Sequence, residues 1–351
     1  MNSWLVDADP SIRPREGARP LAGTSGLFLV WGPESHGPRS VVFARELGIP
    51  TAFIESTRRR GLLAGFVKYP VQAALTAGEL LRRRPRVIFV QSPPSFAVMV
   101  AGAYAWLFRR SYVIDAHSDA FQSSYWMWPR WLHRLSLRRA VATIVTNEAF
   151  AASVTAAGGT PIVIRDIPTS FPEGGVFQGA DRSIVVVSTF AVDEPLQEVL
   201  RAAATLPEVT FYVTGDSRRY RGSLDDLPAN VRFTGFLSSP DYYALLRSSA
   251  AVMCLTTRDN TMQRGACEAL SLGKPIITSD WPLLRTYFDR GTVHVDNTSA
   301  RIAAAVREVR ARPDHYQDEV SQLQASQRAQ WRSSLNELIL RLRRCGLEGG
   351  A

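Results

Sequence analysis

The chain has 351 residues, and at roughly 100–200 residues per domain this length predicts two domains. A hydrophobic fraction of 46%, with 10% aromatic and 21% charged residues, is that of a packed globular protein and excludes a disordered chain. The formal net charge of +9 predicts attraction to an anionic partner: nucleic acid, a membrane face or a phosphorylated small molecule. The three cysteines are odd in number and lack metal-ligand spacing, so neither a disulfide framework nor a zinc site is expected.

No secretory leader or membrane span is expected. Residues 1–25 contain no apolar core, which predicts a flexible tail. The longest apolar run, Phe96–Phe108, is shorter than the roughly 20 residues needed to cross a bilayer. We therefore expect a buried or interfacial helix there, and together with the cysteine usage these features favour a cytoplasmic protein.

Short apolar strands alternate with helices along most of the chain, which indicates parallel sheets covered on both faces. Residues 26–168 form the first predicted domain, residues 169–182 a Pro- and Gly-rich linker, and residues 183–314 the second domain. An Arg-rich helical segment, 315–351, is expected to pack back on the first domain. The predicted strands are 27–31, 51–55, 87–91, 112–115, 143–146 and 161–164, then 183–188, 210–214, 231–234, 251–255, 275–279 and 293–295.

The predicted fold class is therefore α/β, with two Rossmann-like, doubly wound parallel-sheet domains. Such sheets bind ligands beyond the carboxyl ends of their strands. A cleft that the two domains face is the expected site.

The most informative stretch follows the strand at 251–255. A polar loop leads there into a helix that ends near Gly273. Free N–H groups at such a helix start favour phosphate, and Arg258 and Arg264 can add charge-assisted contacts. Glu268, farther along the helix, can accept hydrogen bonds from ribose hydroxyls if it faces the cleft. From spacing alone, an ordinary capped helix with a solvated glutamate is the alternative.

At this stretch the sequence resembles a known family. Glu268–Pro275, Glu-Ala-Leu-Ser-Leu-Gly-Lys-Pro, followed by Ile-Ile-Thr-Ser-Asp, is similar to the nucleotide-sugar site of GT-B glycosyltransferases, especially the family 4-like group. The resemblance covers residues 26–310. It implies a GT-B fold and a metal-independent hexosyltransferase that needs no cofactor and uses a nucleotide-diphosphate sugar as donor. Of the two glutamates found in many members, Glu268 matches the ribose-binding one, and Asn260 stands where the other would be.

Two further stretches narrow the resemblance. Val90–Ser95 with Tyr112–His117, and Val187–Glu194, are similar to the β-mannosyltransferases that extend chitobiosyl-diphosphodolichol. This similarity implies a glycolipid or polyprenyl-linked acceptor. The basic residue that many family 4 members place near the last of these stretches is missing here.

The resemblance also assigns candidate site residues. His117 matches a histidine near the donor sugar and, with Asp115, forms the candidate catalytic pair; the alternative is a loop histidine that caps the backbone. Asp193 and Glu194 could equally cap the following helix electrostatically. The candidate donor-binding residues are Glu268, Ser188, Thr189, Phe190, Gly215, Thr257, Arg258, Asn260, Thr261 and Arg264. The acceptor-side loop, which could also be a simple turn, comprises Glu34, His36, Gly37 and Arg39, and no metal site is expected.

Arginine clusters with aromatic residues in the first predicted domain. Arg58–Arg60 and Arg82–Arg84 flank an apolar segment, and Trp126, Trp128 and Trp131 stand beside further arginines, namely Arg130, Arg134, Arg138 and Arg139. These residue types favour an anionic membrane surface, which predicts peripheral docking on the cytoplasmic membrane face. The alternatives are core aromatics beneath a solvated arginine face, and a nucleic-acid platform, which we do not expect because no recognition motif is present. A GT-B relative that has lost catalysis and serves as a partner subunit is a third possibility.

Overall fold

The computed structural model describes residues 19–32, 38–55, 62–117, 119–123, 125–165, 171, 175, 177, 179–259 and 261–347. These residues fall into two compact units. The first contains the described residues between 19 and 165 and those from 330 onward, and the second contains those from 171 to 329. The domain boundaries drawn from the sequence stay predictions.

The first unit is a parallel sheet covered by helices. Its strands are β1 (Gly26–Trp31), β2 (Thr51–Ile54), β3 (Val87–Ser92), β4 (Ser111–Ala116), β5 (Ala142–Val145) and β6 (Pro161–Val163), in the order β2-β1-β3-β4-β5-β6. Its helices are α1 (Pro38–Leu47), α2 (Leu62–Arg83), α3 (Ser95–Leu107), α4 (Asp119–Gln122), α5 (Arg130–Arg139) and α6 (Glu148–Ala156). Every residue of β1 and β3 is buried, as expected for central strands with helices on both faces.

The second unit repeats this architecture. Its strands are β7 (Ile184–Val186), β8 (Phe211–Thr214), β9 (Val231–Gly235), β10 (Ala251–Cys254), β11 (Ile276–Ser279) and β12 (Thr292–Val295), in the order β12-β11-β10-β7-β8-β9. Its helices are α7 (Leu196–Ala204), α8 (Ser239–Ser248), α9 (Arg264–Ser271), α10 (Pro282–Tyr287) and α11 (Ser299–Ala311). All neighbouring strands pair in parallel.

The last long helix, α12 (Pro313–Leu342), is followed by a π-helical turn at Arg343–Leu347. Within the second unit it is anchored by side-chain amides: Gln324 donates to the carbonyls of Leu270 and Ser271 at the end of α9, and Gln327 donates to the carbonyl of Tyr287. These bonds satisfy carbonyl groups that a helix end leaves without an intrahelical partner.

The predicted pair of doubly wound parallel sheets is confirmed, and every predicted strand is present with ends close to those expected. The strand order determines which loops become neighbours. β3 lies beside β4, with Gln91 in register with Asp115, and β10 lies between β7 and β11. The loops that follow adjacent parallel strands leave the same edge of a sheet, so these are the loops where a site is expected.

Phe96–Phe108 was expected to be a buried or interfacial helix, and it corresponds to α3. Among the residues that the structure describes, no helix combines the length and apolar character that crossing a bilayer requires.

Candidate active site

The start of α9 lies directly against the sheet of the second unit. A Cβ at Gly265 would meet Cys254 Sγ at 2.6 Å and Val187 Cγ1 at 2.7 Å, so only glycine allows the first turn to pack on β10 and on the residue after β7. Within the described residues, no side chain caps this helix at Gln263. The N–H groups of the first turn therefore remain available to an anion, and the helix dipole favours one there.

Glu268 is buried, with 8% of its surface exposed. One carboxylate oxygen accepts a hydrogen bond from Tyr242 Oη on α8 at 2.7 Å, and the other accepts one from Arg264 Nε at 2.9 Å. Burial and the nearby Glu268 carboxylate raise the pKa of Tyr242 well above its usual value, which keeps its hydroxyl a donor. The solvated glutamate considered from the sequence is thus ruled out, because the carboxylate is held in one orientation by two donors.

The loop after β7 is closed by hydrogen bonds to the carboxylate of Glu194, which lies farther along the same loop. Glu194 accepts hydrogen bonds from Ser188 Oγ at 2.5 Å, from Thr189 Oγ1 at 2.8 Å and from the Thr189 N–H at 3.0 Å. Phe190, with φ of 57°, donates its N–H to Ser188 Oγ. Ser188 and Thr189 were expected to donate to a diphosphate, and in this structure their donors are engaged by Glu194 instead.

The loops after β7 and β10 are joined through Asp193. Its side chain accepts from Thr256 Oγ1 at 3.0 Å and faces the guanidinium of Arg258 at 3.5 Å, and its backbone carbonyl accepts from the Thr257 N–H at 2.7 Å. Asp193 therefore links the two loops rather than capping α7. Arg258 keeps 64% of its side chain exposed and can reach an anion from this position.

Gly215 follows β8 with φ of 105°, a backbone conformation that favours glycine. A Cβ there would meet the carbonyl oxygen of Ser188 at 2.2 Å, so the backbones of the loops after β7 and β8 are in close contact. Burial is the largest cause that raises the pKa of the Cys254 thiol, and the charges of Glu268 and Glu194 raise it further. Both carboxylates therefore lie near the end of β10. Ser188, Gly215 and Arg258, three of the predicted donor residues, thus lie on connected loops, and Glu268 lies on the helix that follows the last of them.

The first unit contains a second polar cluster, at the carboxyl end of β4. The Asp115 carboxyl is fully buried and faces Arg39 Nε, from α1, at 3.6 Å. Ser40 Oγ lies 3.3 Å from Asp115 Oδ2 and 3.0 Å from Gln91 Oε1. Burial by itself would raise the pKa of Asp115, but Arg39, His117 and Ser40 together hold it below its ordinary value.

His117 is the accessible member of this cluster. Its Nε2 lies 3.4 Å from Asp115 Oδ2, its backbone N–H donates to the Ser92 carbonyl at 2.8 Å, and 30% of its side chain is exposed. A buried carboxylate that orients a partly exposed imidazole is the arrangement of a general base and its orienting group. Arg39, predicted for the acceptor side, also donates to the Ile164 carbonyl and thereby connects α1 to this centre.

Four predicted residues, Glu34, His36, Gly37 and Asn260, lie outside the described residues. Thr257 and Thr261 lie in the loop between β10 and α9, where they were expected. The roles of Tyr242, Ser40 and Gln91 were not predicted from the sequence. In the sequence, these residues were marked only by their positions near strand or helix ends. Among the described residues, no group of three or more His, Cys, Asp or Glu side chains could hold a metal ion.

Comparison with protein families identifies both halves of the chain. Residues 23–169 match the glycosyl transferase 4-like domain, and residues 193–335 match the glycosyl transferase-like family. None of the curated protein sequences compared with the chain matches it.

Solved structures share the fold over nearly the whole chain. HepE from Anabaena in complex with UDP is 15% identical, with 91% of this chain and 97% of HepE covered and a TM-score of 0.64. HepE in complex with UDP-glucose gives a TM-score of 0.60 at the same identity and coverage. A glycosyltransferase from Rickettsia africae ESF-5 is 12% identical, with 93% and 99% covered and a TM-score of 0.60. The fold is GT-B, and the chain carries two glycosyltransferase domains.

Proposed function

We propose that this chain, a GT-B protein of two glycosyltransferase domains, transfers a sugar from a nucleotide-diphosphate sugar to a lipid-linked or other membrane glycan acceptor. The observation that carries the donor assignment is the Glu268 carboxylate, buried and fixed by Tyr242 and Arg264 on the helix that starts after β10. A fixed carboxylate is a strong acceptor for the two hydroxyls of a ribose.

The proposed diphosphate site is the start of α9. The N–H groups of its first turn, with Arg258, Arg264 and the hydroxyls of Thr257 and Thr261, would hold the phosphates. Asn260 would contact the sugar or the phosphate from the same loop. These groups stabilise the charge that develops on the leaving nucleoside diphosphate, so no metal ion or cofactor is part of the proposal.

The loop after β7 would close the donor site. Because Glu194 already accepts from Ser188 and Thr189, we assign these residues and Phe190 to shaping the wall beside the diphosphate, together with Gly215. This refines the expectation that their donors bind the phosphates directly.

His117 is the proposed catalytic base. It would take the proton of the acceptor hydroxyl while that oxygen bonds to the sugar C1 and the bond from C1 to the diphosphate oxygen breaks. Asp115 is fully buried and acts through His117, by fixing the orientation of its ring. Arg39 and the adjoining loop residues Glu34, His36 and Gly37 form the proposed acceptor side.

The acceptor class rests on the resemblance to β-mannosyltransferases that act on a lipid-linked chitobiose, and the identity of the transferred sugar is not part of the proposal. A membrane-embedded acceptor requires the enzyme to dock peripherally on a membrane, proposed here to be a cytoplasmic face. Trp128 and Trp131 keep 69% and 68% of their surfaces exposed, which supports such docking.

The test is a thermal-shift panel of UDP, GDP, dTDP and ADP and their sugars on the full chain, followed by transfer assays with the donor that binds. Specific donor binding should stabilise the second unit by mass action. His117→Ala should retain donor binding and lose transfer, because it removes the base and leaves the donor groups intact. No stabilisation by any nucleotide would overturn the donor assignment.

One observation favours a second candidate, a catalytically inactive partner subunit. Many family members place a basic residue near this loop, whereas Val187–Glu194 contains none, and Glu194 occupies the donors of Ser188 and Thr189. A partner subunit would show weak or absent nucleotide-sugar binding and no turnover under the same assays.

A further inference from the structure

Helix α2 buries two polar side chains and exposes apolar ones, unlike an ordinary surface helix. Gln72 and Thr76 are 2% and 0% exposed: the Gln72 amide donates to the Ile54 carbonyl, and Thr76 Oγ1 accepts from Trp31 Nε1 at 2.8 Å. The outward positions are instead apolar. Val67, Val71, Leu75 and Leu81 are exposed by 63%, 42%, 48% and 52%.

The exposed face of α2 is continuous. Between Val67 and Leu81 the remaining exposed positions are Pro70, Ala74 and Gly78, so no exposed side chain on this stretch is polar. At 1.5 Å per residue the stretch is about 20 Å long. In a soluble helix this face would carry charged residues, and a continuous exposed apolar surface of this length marks an interaction site.

The neighbouring helices carry further exposed apolar residues. α2 packs on α3, which packs on α5. The end of α3 exposes Trp106 by 69% and Leu107 by 65%, and Trp131 projects from the start of α5. Trp126, grouped with the other tryptophans from the sequence, belongs elsewhere, because its ring packs against Tyr69 and is only partly exposed.

The net charge of these three helices is positive. Their only acidic residue is Glu79 on α2, and it is paired with Arg82 and Arg83. The exposed basic residues that remain lie at the ends of the helices or along α5, and they are Arg84, Arg109, Arg110, Arg130, Arg134, Arg138 and Arg139.

We propose that the outer face of α2, together with Trp106, Leu107 and Trp131, lies flat on an anionic lipid bilayer. An apolar strip edged by tryptophan and arginine matches the layered chemistry of such a surface, in which acyl chains lie beneath anionic headgroups. This inference rests on the proposed membrane acceptor and identifies the surface that would bring the enzyme to it.

The test is flotation of the full chain with vesicles of phosphatidylcholine alone or mixed with phosphatidylglycerol. The wild type should float with the mixed vesicles and far less with the neutral ones. The double variant Val71→Ser/Leu75→Ser should lose most of its flotation. The variant Arg130→Gln/Arg134→Gln should bind the mixed vesicles on the order of 25-fold more weakly, at about fivefold per arginine.

Leu224→Ser is the matched control, because Leu224 is 61% exposed but lies in the second unit; it should float like the wild type. Equal recovery of the wild type with both vesicle types, or unchanged flotation of the α2 variant, would overturn the proposal. So would a concentration-dependent dimer that the α2 variant abolishes, since a second copy would then cover this face. Nucleotide binding measured on the same samples separates these outcomes from a failure of the donor assignment.

Discussion

Replacing Glu268 tests the donor site most directly, because this carboxylate has a structural role and a proposed binding role that can be separated. Its two observed bonds, to Tyr242 and Arg264, belong to the folded protein without donor. Its remaining acceptor capacity is proposed to serve the ribose. Glu268→Ala removes both roles, whereas Glu268→Gln preserves the shape and one carbonyl acceptor.

The structural cost of Glu268→Ala follows from its partners. The Tyr242 hydroxyl is buried beside Glu268 and would lose its acceptor, at about 1–3 kcal/mol. The Arg264 side chain is 68% exposed, so the loss of its bond adds less than about 1 kcal/mol. A total of about 1–4 kcal/mol lowers the melting temperature of a unit of this size by about 3–12 °C, at roughly 3 °C per kcal/mol. Glu268→Gln should cost clearly less, since its carbonyl still accepts from Tyr242.

The functional cost should be similar in size to the structural one, but it appears in the affinity for UDP rather than in the stability of the fold. A ribose held by two hydrogen bonds to a carboxylate loses about 3 kcal/mol with Glu268→Ala, which weakens the Kd for UDP on the order of 100-fold. Glu268→Gln should weaken it about tenfold. Titration calorimetry with UDP on the folded variants measures both effects.

Tyr242→Phe is the control for this experiment, because it removes one structural bond to Glu268 and leaves the ribose-directed acceptors in place. It should lower thermal stability and leave the UDP affinity near that of the wild type. If Glu268→Gln binds UDP as the wild type does, the ribose assignment is wrong. If Tyr242→Phe weakens UDP binding as much as Glu268→Gln does, the carboxylate serves only to hold the fold.

Three further predictions concern Asp115, two glycines and Glu194. Because the pKa of Asp115 is lowered on folding from 3.8, its carboxylate stabilises the protein above that pH and loses this contribution as the pH falls through the folded pKa. Asp115→Asn should therefore be less stable than the wild type in urea at pH 7 and 5, and the gap should narrow at pH 3, below the unfolded pKa; an equal gap at all three values would contradict the argument. Gly265→Ala should cost about 1–3 kcal/mol by overpacking against Cys254, whereas Gly78→Ala, with open space around it, should stabilise α2 by about 0.5–1 kcal/mol; chemical denaturation compares the two. Glu194→Gln removes a negative charge beside the proposed diphosphate and should tighten UDP binding several-fold at low salt, and an unchanged affinity would move the diphosphate away from this loop.

The sequence was most informative about the candidate site where the residues concerned lie within one short segment. Glu268 and the helix start after β10 lie in one local stretch, and the structure places both at the edge where they were expected. His117 and Asp115, two positions apart at a strand end, lie in contact, and their catalytic role stays a prediction. Glu194 was considered either for an active role or as a helix cap, since nothing in its local pattern indicated that it would turn back to Ser188 and Thr189.

The sequence by itself determined the twelve strands and their parallel arrangement, because strands buried on both faces must be continuously apolar whatever surrounds them. Only the tertiary structure decided which polar groups meet. Arg39 and Ser40 reach Asp115 because β1, β3 and β4 are neighbours in the sheet, an order that no local pattern encodes. The same holds for α2: its sequence contains both polar and apolar positions, and the partners offered by Trp31 and Ile54 determine that Gln72 and Thr76 are buried. A side chain's chemistry is local, but whether it is satisfied inside the protein depends on what the rest of the chain places beside it.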